Sequence, residues 1–166
     1  VIIQYLRVIT DIKPKYFILE NVRGLLSAKL NKVPDDYCEY ENIKDIKGSV
    51  MCFLTQEFRK MGYTISYALF NAANYGVPQI RKRLVFVGLL NAKEQFKFPE
   101  PYLTPEEYIT CEQAIGDLPS LEHTLGADVS EDEMDPQTDY QKLMRGSCKT
   151  LYNHKSIDHK QFVKET

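Results

Sequence analysis

Three short runs of apolar and branched residues, each too short for a buried helix, constrain the fold of this chain most strongly. Residues 16–19 and 84–90 are almost wholly apolar, and residues 64–70 are rich in aromatic and branched side chains. Runs of this length and composition favour strands. The uninterrupted run at 16–19 further predicts a strand that is buried on both faces.

Two segments with helical spacing precede and separate these runs. Residues 1–12 and residues 49–61 both place apolar side chains at helical intervals. The connection 71–83 contains Gly76 and Pro78 and predicts a hairpin with a long loop between the second and third strands. The order helix, strand, helix, strand, strand indicates an α/β sheet domain, of which we expect only a part to be present.

The remaining segments are more polar. Residues 31–47 predict an exposed loop, and the acidic residues 122–139 lack periodicity and predict a mobile segment. Prolines mark residues 93–121 as a connecting segment with a short helix at 110–118, and a last helix is predicted from Tyr140.

Composition excludes several classes of protein. The chain of 166 residues has the length of one domain, and its formal net charge of −2 gives no overall basic footprint for nucleic acid. No apolar run approaches the roughly 20 residues of a membrane helix. The four cysteines form no C-x-x-C pair, which favours free thiols over a zinc site. We interpret the start at Val1, within an amphipathic pattern, as a truncation.

The first candidate site is Glu20, which follows the apolar run 16–19 directly. Ligands of open α/β sheets bind at the carboxyl edge of the strands, where we expect Glu20 to be partly buried. A protonated carboxyl donates to a ring nitrogen, whereas a carboxylate accepts from an exocyclic amine. The alternative is that Glu20 caps the next turn and Asn21 holds the loop.

The second candidate site is the extended stretch before the last strand. Alternation places Gln79, Arg81 and Arg83 on one face, where guanidinium groups suit a carbonyl oxygen, a carboxylate or a phosphate. The alternative is a solvated basic edge strand. Because Arg83 enters the edge of the core, its charge needs a partner, and an ion pair with Glu20 would satisfy both residues.

These stretches resemble two motifs of the DNA (cytosine-5) methyltransferases. Residues 13–22 resemble the Glu-Asn-Val motif region and residues 68–83 the Gln-x-Arg-x-Arg motif, in the family's order and with Gly62-Tyr63 ending the helix between them. Residues 114–119 and 140–145 resemble the family's lead-in to target recognition. The resemblance covers nearly the whole chain and is weakest across the two polar segments.

The resemblance implies an α/β fold that is part of a Rossmann-like, S-adenosylmethionine-dependent methyltransferase sheet, incomplete at both ends. Residues 1–92 would form the later part of the catalytic core, 93–121 the connecting segment and 122–166 the lead-in to the target recognition domain. The implied enzyme flips a cytosine out of the duplex. A cysteine thiolate then attacks C6, and S-adenosylmethionine donates its methyl group to C5.

The resemblance also implies roles for single residues. Glu20 would contact N3 and the exocyclic amine of the cytosine and offset charge that develops on the ring. Arg83 would hold the cytosine O2, and Arg81 would support the pocket and the catalytic loop. Asn21 would order the turn beneath Glu20. The supporting residues of the pocket are Asn21, Val22 and Gln79.

Two parts of the family pattern are absent from the sequence. The family nucleophile lies in a Pro-Cys dipeptide upstream of Glu-Asn-Val, whereas the cysteines here all lie downstream and follow other residues: Tyr37, Met51, Thr110 and Ser147. The eight glycines include no G-x-G of the cofactor loop. We therefore expect the isolated chain to be inactive and to bind S-adenosylmethionine poorly.

Three alternatives stay open beside the DNA methyltransferase fragment. They are a tRNA cytosine-5 methyltransferase, a subunit of a split enzyme that needs a complementing N-terminal partner, and a non-catalytic module derived from a methyltransferase. We expect double-stranded DNA as partner, a monomer at full length, and no membrane or metal partner, since His154 and His159 lack a third ligand. The expected setting is a restriction–modification system in bacterial or phage-infected cytoplasm, or the nucleus for a eukaryotic protein.

Overall fold

A computed structural model describes residues 2–121, 124–131 and 134–157. The chain divides into two compact units. Residues 1–75 and 80–106 belong to the first unit, and residues 76–79 and 107–166 belong to the second.

The first unit contains two helices and three strands, as the sequence predicts. Three short 3-10 turns connect them, at Arg23–Ser27, Asp35–Ile43 and Ala72–Tyr75. The helices and strands are α1 (Ile2–Ile12), β1 (Tyr16–Val22), α2 (Ser49–Lys60), β2 (Tyr63–Asn71) and β3 (Lys82–Leu90).

The three strands form one sheet in the order β1-β3-β2. β3 is antiparallel to both neighbours, so the predicted hairpin between β2 and β3 is confirmed. Because β3 runs against β1, the first residues of β3 lie beside the last residues of β1. The two segments that carry the candidate site residues therefore meet at one end of the sheet, where β1 ends and β3 begins.

An aromatic contact fixes the register of β1 against β3. Phe17 pairs with Gly88, and a Cβ atom at position 88 would overlap the Phe17 ring. The Phe17 ring also packs on Phe58 of α2 at 4.6 Å and on Tyr63 at 5.0 Å between ring centroids. A slip of one residue would remove this close fit and move the side chains of β1 to the opposite face.

The prediction that β1 is buried on both faces is wrong for the described chain. Phe17 is 5% exposed, whereas Tyr16 and Ile18 are 68% and 63% exposed. The covered face packs on the helices through a core of large side chains. The run is apolar on both faces, but β1 pairs only with β3 and only one of its faces is covered.

The segment 31–47 is more ordered than the predicted exposed loop. It contains the 3-10 turn Asp35–Ile43, in which Tyr40 is buried and donates from its hydroxyl to Glu57 Oε1 at 2.6 Å. Lys60 Nζ lies 2.7 Å from both Glu57 Oε1 and Glu39 Oε1. Burial and the hydrogen bond to Glu57 raise the pKa of Tyr40, and the hydrogen bonds to Glu39 and Glu57 raise the pKa of Lys60.

The described residues of the second unit form two helices and two strands. The short helices predicted near 110 and 140 are present, and each begins at a threonine whose hydroxyl accepts the N–H of a glutamine in a capping box. The segment 122–139, predicted to be mobile, contains a strand in its described part. The elements are α3 (Cys111–Ile115), β4 (Gly126–Glu131), α4 (Asp139–Arg145) and β5 (Thr150–Lys155).

β4 and β5 pair with each other in antiparallel orientation. The sequence does not reveal them because β4 exposes most of its side chains and its partner lies far along the chain. His154 lies in β5, and its Nε2 is 2.8 Å from the carbonyl oxygen of Pro119. His159, the second histidine of the candidate metal-binding pair, lies outside the described residues.

A buried ion pair anchors α4. Arg145 Nε lies 2.9 Å from Asp117 Oδ2, and the two side chains are 14% and 1% exposed. Gln141, which is 2% exposed, donates to the carbonyl oxygen of Glu112 at 3.5 Å. The residues that resemble the family's two lead-in segments thus contact each other through buried polar groups. Among the described residues, no helix is both long and apolar enough to cross a membrane.

Replacing Arg145 by methionine should destabilise the second unit by about 3–5 kcal/mol, because it leaves the buried Asp117 carboxylate unpaired. The matched control is Lys142→Met, which breaks the exposed pair of Lys142 and Asp139 at 3.0 Å and should cost about 0–1 kcal/mol. Denaturant unfolding followed by circular dichroism measures both. Equal stabilities of the two variants would contradict the anchoring role of the Asp117–Arg145 pair.

Candidate functional site

The register of the sheet brings Glu20 and Arg83 together. Glu20 pairs with Val85 and Val22 pairs with Arg83 across β1 and β3. Directly opposed residues share a face, and so do residues two apart on one strand. Glu20 and Arg83 are therefore diagonal neighbours on one face, a separation that long side chains span.

The expected ion pair between these residues is present. Arg83 Nε lies 2.7 Å from Glu20 Oε1. Arg83 Nη1 also donates to the carbonyl oxygen of Lys82 at 2.9 Å, so two contacts hold the guanidinium group. The Glu20 side chain is 53% exposed and that of Arg83 is 26% exposed. Glu20 is thus more exposed than predicted, because it lies on the same uncovered face of β1 as Ile18 and Val22.

Asn21 and Val22 follow Glu20, and their side chains leave β1 on opposite faces. Asn21 pairs with Leu84, a fully buried core residue, and so leaves β1 on the face opposite to Glu20. The Asn21 side-chain oxygen accepts the N–H of Val22 at 2.8 Å. Val22 itself is 54% exposed. The amide of Asn21 therefore ties down the peptide group that directly follows it.

Arg81 is exposed and stands immediately before β3. Its N–H donates to Asn71 Oδ1 at 3.1 Å, and its carbonyl oxygen accepts the N–H of Ala72 at 3.0 Å. Gln79 is also exposed, and its N–H donates to the carbonyl oxygen of Val77 at 2.7 Å in a tight turn. Asn71 is not among the candidate residues predicted from the sequence, although an asparagine at the end of a strand is a signal for such a local bond.

The Glu20–Arg83 pair presents an acceptor beside donors. The ion pair uses one carboxylate oxygen of Glu20. Arg83 contacts that oxygen through Nε and donates one N–H of Nη1 to the carbonyl oxygen of Lys82. The second carboxylate oxygen and the remaining guanidinium N–H groups are available to a ligand. This arrangement fits a planar ligand edge that carries both a donor and an acceptor.

Comparison with known proteins identifies the family. The profile of the family described as C-5 cytosine-specific DNA methylase matches residues 1–165. The chain belongs to this family. The Type II methyltransferase M.DdeI of Desulfomicrobium norvegicum is 33% identical over 162 residues, which cover 96% of this chain and 36% of M.DdeI. The Type II methyltransferase M1.HphI of Haemophilus parahaemolyticus is 34% identical and is matched over 71% of this chain and 26% of its own length.

A solved structure supports the fold of this methylase-family chain. A crystal structure of a prophage-encoded DNA modification methyltransferase (E. coli) superposes with a TM-score of 0.53 at 18% identity and covers 83% of this chain and 36% of that one. The α/β class and the partial methyltransferase sheet are thereby confirmed. The chain spans about a third of the length of M.DdeI and of that structure.

Two groups that the family resemblance implies are not provided by these residues. The chain lacks both a Pro-Cys dipeptide and a G-x-G sequence, so its residues do not fit the family's nucleophile or its cofactor loop. All four cysteines are exposed and unpaired, and Cys52 lies on α2 with its sulfur 3.1 Å from Gln56 Nε2. No group of three or more metal-ligating side chains occurs among residues 2–121, 124–131 and 134–157.

Removing the Glu20 carboxylate should leave the fold almost unchanged. An exposed ion pair contributes about 0–1 kcal/mol, so Glu20→Ala should lower the free energy of unfolding by less than about 1 kcal/mol. Leu84→Ala, which empties a fully buried position in β3, should cost about 2–5 kcal/mol in the same denaturant titration. A Glu20→Ala variant as unstable as Leu84→Ala would assign Glu20 a structural role instead of a binding role.

Proposed function

We propose that this chain supplies the cytosine-holding part of a DNA (cytosine-5) methyltransferase. The observation that carries the proposal is the 2.7 Å contact between Arg83 and Glu20 in a member of the C-5 cytosine-specific DNA methylase family. Both residues lie in the stretches that resemble the family's cytosine-binding motifs. The whole enzyme would transfer a methyl group to C5 of a cytosine that has been flipped out of the duplex.

Glu20 and Arg83 would bind adjacent atoms of the base. The ionised Glu20 carboxylate accepts from the exocyclic amine, and its protonated form donates to N3. The guanidinium of Arg83 donates to O2. Attack of a thiolate at C6 places negative charge on the ring, and a proton donor at N3 together with a cation at O2 offsets that charge where it develops.

The methyl donor of this family is S-adenosylmethionine, and it would supply the methyl group that C5 receives. No G-x-G loop is available in this chain to hold it. The chain itself would bind the cytosine, orient its edge and lower the energy of the C6 adduct. Asn21 and Val22 would stiffen the backbone beside Glu20 through their 2.8 Å hydrogen bond.

The proposed nucleic acid partner is double-stranded DNA. Arg23, Arg81 and Lys82 are exposed in the segments that flank Glu20 and Arg83. Cations at these positions suit phosphate contacts, which position a protein on DNA without reading the sequence. The Type II relatives support a place in a bacterial restriction–modification system and hence in the cytoplasm.

The proposal can be tested in a chimera in which this chain replaces the matched segment of M.DdeI. The chimera should transfer a labelled methyl group to C5 of cytosine in duplex DNA. Glu20→Ala and Arg83→Ala should each lower kcat by about 10²–10³-fold, because each removes a preorganised contact to the charged ring. The matched controls are Glu41→Ala and Arg59→Ala, which remove exposed charges distant in sequence from the site and should change kcat less than about twofold.

Two outcomes would contradict the proposal. One is a chimera that folds, by circular dichroism, and transfers no methyl group to DNA. The other is a Glu20→Ala or Arg83→Ala chimera that is as active as the unsubstituted one. Transfer to tRNA in place of DNA would retain the role of Glu20 and Arg83 and overturn the proposed partner.

A further inference from the structure

We propose that Asn71 is a positioning residue that sets the direction of Arg81 and, through it, the entry of β3 into the candidate site. The inference rests on the proposed function and extends it to a residue that contacts no substrate. Two hydrogen bonds carry it: Arg81 N–H donates to Asn71 Oδ1 at 3.1 Å, and Ala72 N–H donates to the Arg81 carbonyl oxygen at 3.0 Å.

The two hydrogen bonds together take the place of one additional residue pair at the end of the β2–β3 ladder. Asn71 and Lys82 form the last pair of the two strands. In a continued antiparallel ladder the next residues, Ala72 and Arg81, would exchange two backbone hydrogen bonds. The first of these is present. The chain turns into the 3-10 segment Ala72–Tyr75, so the second bond is made to the side chain of Asn71 instead of to the backbone of Ala72.

This additional pair extends the pleated conformation of β3 by one residue towards the N-terminus, to Arg81. Because residues two apart on a pleated strand share a face, Arg81 leaves the backbone on the same face as Arg83. Arg83 in turn reaches Glu20 at 2.7 Å. Without the Asn71 acceptor, Arg81 would be held only through its carbonyl oxygen, and the end of a ten-residue connection, 72–81, would fray.

The position demands an acceptor of a defined length. Aspartate carries a carboxylate oxygen where asparagine carries its amide oxygen, so Asn71→Asp retains the bond to the Arg81 N–H. Alanine removes the acceptor and leaves that N–H to water. Thr64 provides a matched control, because its hydroxyl donates to the carbonyl oxygen of Ala92 at 2.7 Å near the opposite end of the same two strands.

The first arm of the test is amide hydrogen exchange on the full chain. In Asn71→Ala the Arg81 amide should exchange about fivefold to tenfold faster, as expected for the loss of one hydrogen bond. The amides of Val85 and Val87, in the middle of β3, should be unchanged. Asn71→Asp should restore the slow exchange, and Thr64→Ala should leave the Arg81 amide unaffected. Unchanged exchange of Arg81 in Asn71→Ala would overturn the proposal.

The second arm is steady-state kinetics in the M.DdeI chimera. A misplaced guanidinium group should lower kcat by about tenfold or more in Asn71→Ala, with less than a twofold change in KM for DNA. Asn71→Asp should recover kcat to within about threefold, and Thr64→Ala should retain it. If Asn71 had a merely structural role, Thr64→Ala and Asn71→Ala would lower kcat alike, and that result would overturn the proposal.

The two arms separate this inference from the proposed function. One possible result is faster Arg81 exchange in Asn71→Ala together with an unsubstituted chimera that transfers no methyl group. This result would contradict the proposed function and the positioning role built on it. Only the local hydrogen bond between Asn71 and Arg81 would then be supported. An active chimera whose kcat is insensitive to Asn71→Ala would overturn the positioning role and leave the proposed function standing.

Discussion

The register of β3 between β1 and β2 is the constraint on which the candidate site depends. The Phe17 ring lies over Gly88, where no larger residue fits, and this pair sets every other pair of the two strands. Glu20 consequently stands opposite Val85, one diagonal step from Arg83. A slip by one residue would send Glu20 to the core face and separate it from the guanidinium group. A contact in the hydrophobic core therefore determines the geometry of an exposed polar pair.

The exposure of that pair is consistent with binding more than with stability. A buried pair such as Asp117 and Arg145 anchors a helix because neither charge can return to water. Glu20 is half-exposed, so water competes for its carboxylate and the ion pair contributes little to folding. The same exposure leaves a carboxylate oxygen and guanidinium N–H groups accessible to a ligand. The two ion pairs thus show how burial separates an anchoring role from a binding one.

The sequence predicts the local elements of the first unit and the meeting of Glu20 with Arg83, because strand runs and motif order are local or family signals. It does not predict that Tyr16 and Ile18 are exposed, since an apolar run carries no information about which face is covered. β4 and Tyr40 are missed for a different reason. β4 depends on its pairing with distant β5, and Tyr40 depends on Glu57, and neither partnership leaves a periodic pattern in a polar segment.

The central claim is that Glu20 and Arg83 hold the same base, and the most direct measurement is a crystal structure of the M.DdeI chimera bound to duplex DNA with its target cytosine. The account predicts a flipped cytosine with Glu20 within hydrogen-bond distance, about 2.6–3.2 Å, of N3 or the amine, and with Arg83 equally close to O2. A flipped cytosine that contacts neither side chain, or only one of them, would contradict it.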